Sequence, residues 1–153
     1  MNPPSGKKEK LWNCPECGRG FANRNQSHFC GRHSLDHHFE GKTAEARAIF
    51  EAFVSLLNEF GPVTVLPEKT RVAFQVRMSF AAVCVRRTYL IGHLVLARRV
   101  EDPLFTRVDT ISPRNHVHHF RITRVSDMNA AFKRYAKDAY AVGEQKHLSA
   151  GER

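Results

Sequence analysis

The chain has 153 residues, 42% of them hydrophobic and 25% charged, with a formal net charge of +9. This composition supports a packed core and excludes global disorder, and the length allows one ordinary domain plus a small appendage. A basic surplus of this size attracts polyanions or anionic surfaces and says nothing about fold.

Residues 1–10 are polar, with Pro3, Pro4 and Gly6, and read as a tail without the apolar run of a secretory signal. Residues 11–33 hold three of the four cysteines. Cys14 and Cys17 have the two-residue spacing of a metal-binding turn; Pro15 stiffens it and Gly18 can take a positive φ. His28 and Cys30 complete four soft ligands for a tetrahedral zinc ion, which takes thiolates and imidazoles at about 2.0–2.3 Å. Two ligand sets are open: Cys14, Cys17, His28 and Cys30, or the same set with His33 in place of Cys30. Four protein ligands close a site, so the expected Zn2+ is structural. A redox pair would need a strand before Cys14, and none is legible. Trp12 and Phe21 are the expected miniature core of this zinc knuckle.

Residues 34–43 read as a linker, with His37 and His38 in solvent. From 44 to 60, Ala46, Ile49, Phe50, Phe53, Leu56, Leu57 and Phe60 recur at three- and four-residue steps, which predicts an amphipathic helix. Thr43 is placed to cap it and Gly61-Pro62 to stop it. The period then becomes two, predicting strands at 63–66, 71–77, 80–86, 89–97, 106–111 and 116–122. Short connections favour antiparallel pairing. Ser126 is read as the cap of a last helix ending near 142, with Met128, Ala131, Phe132, Tyr135, Ala139 and Val142 as its buried stripe. The sum is an α+β domain over 44–148, a two-layer arrangement with both helices on one face of the sheet, and a tail at 149–153. The apolar runs at 79–85 and 89–97 are too short to span a bilayer, Cys84 sits inside one of them as a small core residue, and a cytoplasmic location is expected.

Between Lys69 and Arg124 stand eleven basic residues against three acids, Glu101, Asp102 and Asp109. Ten of the eleven are arginine, whose planar guanidinium grips phosphate or carboxylate in bidentate fashion. With one sheet face covered, strand arginines gather on the open face or at strand ends. Lys69, Arg71, Arg77, Arg98, Arg99 and Arg121 are the candidate contacts to nucleic acid or another anion. The same residues would equally serve as a solvated face that keeps the sheet from pairing edge to edge. His116, His118 and His119 crowd one strand. His116 and His118 share a face, and His93 lies on a neighbouring strand, so His93, His116 and His118 form a candidate pocket. Asp109, on the preceding strand, is the nearest carboxylate. No phosphate-binding glycine loop, nucleophile elbow or HExxH is present, so no residue is singled out as catalytic.

The stretches Cys-Pro-Glu-Cys-Gly-Arg-Gly-Phe-Ala-Asn-Arg-Asn-Gln-Ser-His-Phe-Cys (14–30), Gly-Pro-Val-Thr-Val-Leu-Pro-Glu-Lys-Thr-Arg-Val-Ala-Phe-Gln (61–75), the strand from His116 to Arg121, and Ala-Tyr-Ala-Val-Gly-Glu-Gln-Lys-His-Leu (139–148) resemble a bacterial family catalogued as domain of unknown function 5655. The resemblance covers residues 12–148 and implies Cys30 over His33 as the fourth zinc ligand. It singles out Lys69, Thr70, His93, Arg98, Arg99 and His118 as polar positions and implies no activity. Relatives of the domain stand beside nuclease-like modules, which points by association to nucleic acid.

Two functions follow as expectations. In the first, Arg-rich strands bind nucleic acid or another polyanion, away from membranes and with room for a protein partner. In the second, a pocket on the open sheet face binds a small anion through Lys69, Arg77, Arg98 and Arg99, with His93 or His118 moving protons.

Overall fold

The 3.6-residue spacing of apolar side chains produces helix α1 (Ala44–Asn58), which buries Ala46, Ile49, Phe50, Phe53, Leu56 and Leu57. The Thr43 hydroxyl accepts a hydrogen bond from the Ala46 N–H at 3.1 Å and caps it, as its position predicts. The chain leaves the helix through Gly61, whose φ of +149° is open to glycine, and a side chain there would strike the Tyr140 hydroxyl. The structure is a computed structural model and describes residues 10–15, 18–24 and 34–146.

A short hairpin, β1 (Trp12–Asn13) and β2 (Gly20–Phe21), comes first. The Gly18 N–H bonds the Cys14 carbonyl at 2.8 Å, closing the turn, and Gly18 has φ +77°. Trp12 and Phe21 face each other with ring centroids 6.2 Å apart, the expected miniature core, and Cys14 is buried beside Phe21. Cys17, His28, Cys30 and His33 lie outside the described residues.

The main domain is one antiparallel sheet of six strands: β3 (Thr64–Pro67), β4 (Val72–Gln75), β5 (Ser79–Val85), β6 (Leu90–Leu96), β7 (Phe105–Ser112) and β8 (Asn115–Ile122). Their order is β3-β4-β5-β6-β8-β7, so the first four meander and β7 is carried past β8 to the edge. Helix α2 (Ala130–Gly143) lies with α1 on one face. Phe53 stands at the middle of the shared core, with ring centroids 5.3 Å from Phe74, 5.8 Å from Phe120 and 6.3 Å from Phe132. Burying a side chain of that size contributes about 1.5–3 kcal/mol. The two-layer α+β architecture is the one the periodicity predicts.

Two local expectations need correction. Ser126 does not cap α2. The Asp127 carboxylate takes the Thr123 and Arg124 N–H groups and folds Val125–Asp127 into a separate 3-10 turn. The cap is Asn129, whose Oδ1 accepts the Phe132 N–H at 2.9 Å. Nor is His38 in solvent. It is buried, its Nε2 donates to the Glu68 carbonyl at 2.7 Å, and neighbouring Leu35 and Phe39 pack on the core. No helix among the described residues is long and apolar enough to cross a membrane.

Candidate functional site

Strand parity decides which side chains reach the face that the helices leave open. On β8, Phe120 and Ile122 enter the core, so Val117, His119 and Arg121 face the other way. On β6, Leu94 and Leu96 are core residues and His93 faces out. The register lines up Ala82, His93, His119 and Arg107 as one cross-strand row, and Cys84, Ile91 and Arg121 as the next.

These rows frame a cavity of about 520 Å³, walled by Arg71, Arg107 and Arg121, with His93, His119 and Cys84 inside it. Cys84 is therefore not the core residue that its apolar run suggests: strand parity turns it to the open face. That volume is in the range of small-ligand sites, about 300–1,000 Å³. Arg71 pairs with Glu68 at 2.8 Å and Arg107 with Asp109 at 3.1 Å. The Arg121 guanidinium lies 4.0 Å over the Tyr89 ring, and among the described residues it has no carboxylate partner. Stacking leaves its fork of donors free for a ligand.

Burial is the main reason that the His93 imidazole is pushed down to about 4, helped by the positive charge of Arg71 and by the neighbouring His119, so His93 is neutral at neutral pH. His119 stands edge-on to it, ring centroids 5.9 Å apart. His119 Nε2 is 2.9 Å from Asp109 Oδ2. Arg107 Nη2 stands 3.2 Å from the same nitrogen, but the carboxylate contact is the shorter and a carboxylate only accepts, so Nε2 carries the proton and in the neutral ring Nδ1 has the lone pair. The hydrogen bond from His119, and then the Arg107 charge, hold the Asp109 carboxyl below the usual carboxylate range.

The other predicted site residues are elsewhere. His116 and His118 do share a face, but it is the helix-covered one, because Leu94 pairs with His118 and both go into the core. His118 is fully buried; its Nε2 accepts the Val100 N–H at 3.0 Å and its Nδ1 donates to the His116 carbonyl at 2.9 Å. Burial holds it below the usual histidine value, which suits a structural imidazole and not a group on the open face. His116 clamps the β7–β8 turn, bonding the Pro113 carbonyl at 3.1 Å and the Thr110 hydroxyl at 2.9 Å. Arg77 reaches Gln145 at 3.0 Å beyond the end of α2. Arg98 and Arg99 follow β6 at the end opposite to Arg121; Arg99 pairs with Glu101 at 2.9 Å, and Arg98 borders a separate groove against α2. Lys69 is exposed in the β3–β4 turn. Of the six candidate anion contacts, the fold brings Arg71 and Arg121 together with His93. It adds Arg107, His119 and Asp109, which β8 parity, read from Phe120 and Ile122, would have found.

Among the described residues no group of three or more histidine, cysteine or acidic side chains could hold a metal ion. No curated protein and no solved structure matches the chain. A family model matches residues 35–143, which take in the whole six-stranded sheet and α1 and nearly all of the residues that the resemblance covered after the knuckle. With the match running across well over half of its length, the chain belongs to the family described as domain of unknown function (DUF5655).

Proposed function

We propose that the open-face cavity binds a compact anion of the phosphate class. The observation that carries this reading is the convergence of Arg71, Arg107 and Arg121, from three separate parts of the chain, on one concavity floored by small and apolar side chains. A tetrahedral dianion offers oxygens to several guanidinium groups at once, and a cavity sheltered by Ala82 and Ile91 strengthens each contact. A long polyanion is favoured less. Arg86, Arg87, Arg98, Arg99 and Arg124 are exposed in turns and at strand ends and form no strip along the sheet.

The test is titration with inorganic phosphate and with short oligonucleotides across a salt series, followed by histidine NMR signals and calorimetry. Phosphate should shift His93 and His119 together. Arg121→Ala should weaken phosphate binding about tenfold, which is about 1.4 kcal/mol. Binding that survives Arg121→Ala and Arg107→Ala unchanged would sink the cavity reading. Oligonucleotide binding alone, with a log–log salt slope of several phosphates, would restore the polyanion reading.

For the N-terminal segment we propose a structural zinc held by Cys14, Cys17, His28 and Cys30. The spacing of the first pair supports it, as does the tight turn in which Cys14 is buried and Gly18 takes a positive φ.

A further inference from the structure

We infer that His119 and Asp109 act as a general-base pair that hydrolyses phosphate esters in the open-face cavity, an inference that rests on the anion-binding reading above. Three features carry it. The Asp109 carboxylate, 2.9 Å from Nε2 against 3.2 Å for Arg107 Nη2, favours the tautomer with the proton on Nε2 and the lone pair on Nδ1. Arg107 donates to the same carboxylate oxygen from Nε at 3.2 Å and Nη2 at 3.1 Å, so Asp109 is held against rotation. Among the described residues, His119 Nδ1 has no hydrogen-bond partner, and the side chain lines the cavity beside the arginines. The charged and titratable groups around the ring and its cavity are Arg107 and Asp109 on β7, His93 on β6, Cys84 on β5, Arg71 before β4 and Arg121 on its own strand. His93, neutral beside it, does not compete for the ester as a cation and offers a hydrogen bond to a water or a hydroxyl.

The step balances with solvent water as the only co-reactant. His119 Nδ1 takes one proton from the water as its oxygen bonds to phosphorus. The bond from phosphorus to the ester oxygen breaks, and that oxygen leaves with the electron pair. The departing oxygen takes its proton from solvent water and the imidazolium gives its own back to solvent, giving an alcohol and inorganic phosphate. Arg71 and Arg121 would neutralise the charge on the non-bridging oxygens through the step.

The experiment follows release of nitrophenolate from p-nitrophenyl phosphate and bis(p-nitrophenyl) phosphate by the full chain, with phosphate affinity measured on the same samples. Wild-type protein should turn over at least one ester. His119→Ala should lower the rate by roughly 10²–10⁴-fold, with partial rescue by added imidazole, which a purely structural histidine would not give. Asp109→Asn should lower it as well while phosphate still binds. Phosphate binding without turnover overturns this inference and leaves the binding reading standing. Absence of phosphate binding overturns both, and turnover that is indifferent to His119→Ala assigns the activity to something other than this pair.

Discussion

His93 is a histidine kept uncharged by its surroundings, and that makes stability depend on pH in one direction. In the folded protein its pKa is pushed down to about 4, against an ordinary value of 6.5. The unfolded chain therefore binds a proton that the folded chain refuses, and the stabilisation is complete above pH 6.5 and lost as pH falls towards 4. The loss should be on the order of 3 kcal/mol. His118, also lowered by burial, acts in the same direction. Urea denaturation at neutral and acid pH, with wild type and His93→Gln side by side, isolates the His93 share; an equal acid loss in both would show that it has none. At this scale the sequence was half legible. It named His93, Arg71 and Arg121. It read His116 and His118 as the histidines of interest because they share a face, although Phe120 and Ile122 of the same parity mark that face as core. The polar letter at each position was plain, but the face it pointed to had to be settled by the apolar neighbours.

The sheet's elements were more legible than its residues, because periodicity is a sum over many side chains. All six strands and both helices stand close to where alternation and helical spacing put them. The start of α2 was not legible, since Ser126 and Asn129 both fit a cap and only the Asp127 carboxylate, turning back on Thr123 and Arg124, decides between them. Gly92, in the middle of β6, shows the opposite limit. Its neighbours Leu90 and Leu94 are fully buried, and a side chain at Gly92 would run into the Ala82 carbonyl, the Phe120 ring and Val83. The Phe120 ring fills the space that the missing side chain leaves. Gly92→Ala should therefore destabilise the domain by about 1–3 kcal/mol through overpacking. Chemical denaturation checks it, and a neutral result would mean that the β5 backbone at Ala82 and the Phe120 ring both shift at no cost.

Across the whole molecule, the amino-terminal hairpin and the sheet touch. The Gln75 side-chain amide, buried on the open face, donates to the Gly20 carbonyl of β2, and Leu66, Ala73 and Ala82 form a small buried cluster on that side. The segment at 34–43 is a strap more than a spacer, since His38 holds the Glu68 carbonyl and the Thr43 N–H donates to the Arg87 carbonyl at 2.8 Å. Sequence patterns do not carry such contacts, because one amide and one carbonyl leave no period. Metal analysis of protein never exposed to chelator should give about one zinc per chain. Cys14→Ser should abolish it while the sheet domain still melts cooperatively. Loss of the sheet as well would show hairpin and sheet to be a single cooperative unit.

The edge position of β7 has a consequence for the cavity. Arg107 and Asp109 belong to a strand with one neighbour only, β8, whereas His93 and His119 stand on strands paired on both sides. One wall of the cavity is thus attached to an edge of the sheet, where strands fray before the centre does, and the same strand sets Phe105 into the core. A ligand that bridges Arg107 to Arg71 and Arg121 would lace that edge to the strands beside it. Occupancy and the integrity of the sheet margin would then be a single equilibrium, in which binding closes the molecule and fraying empties it.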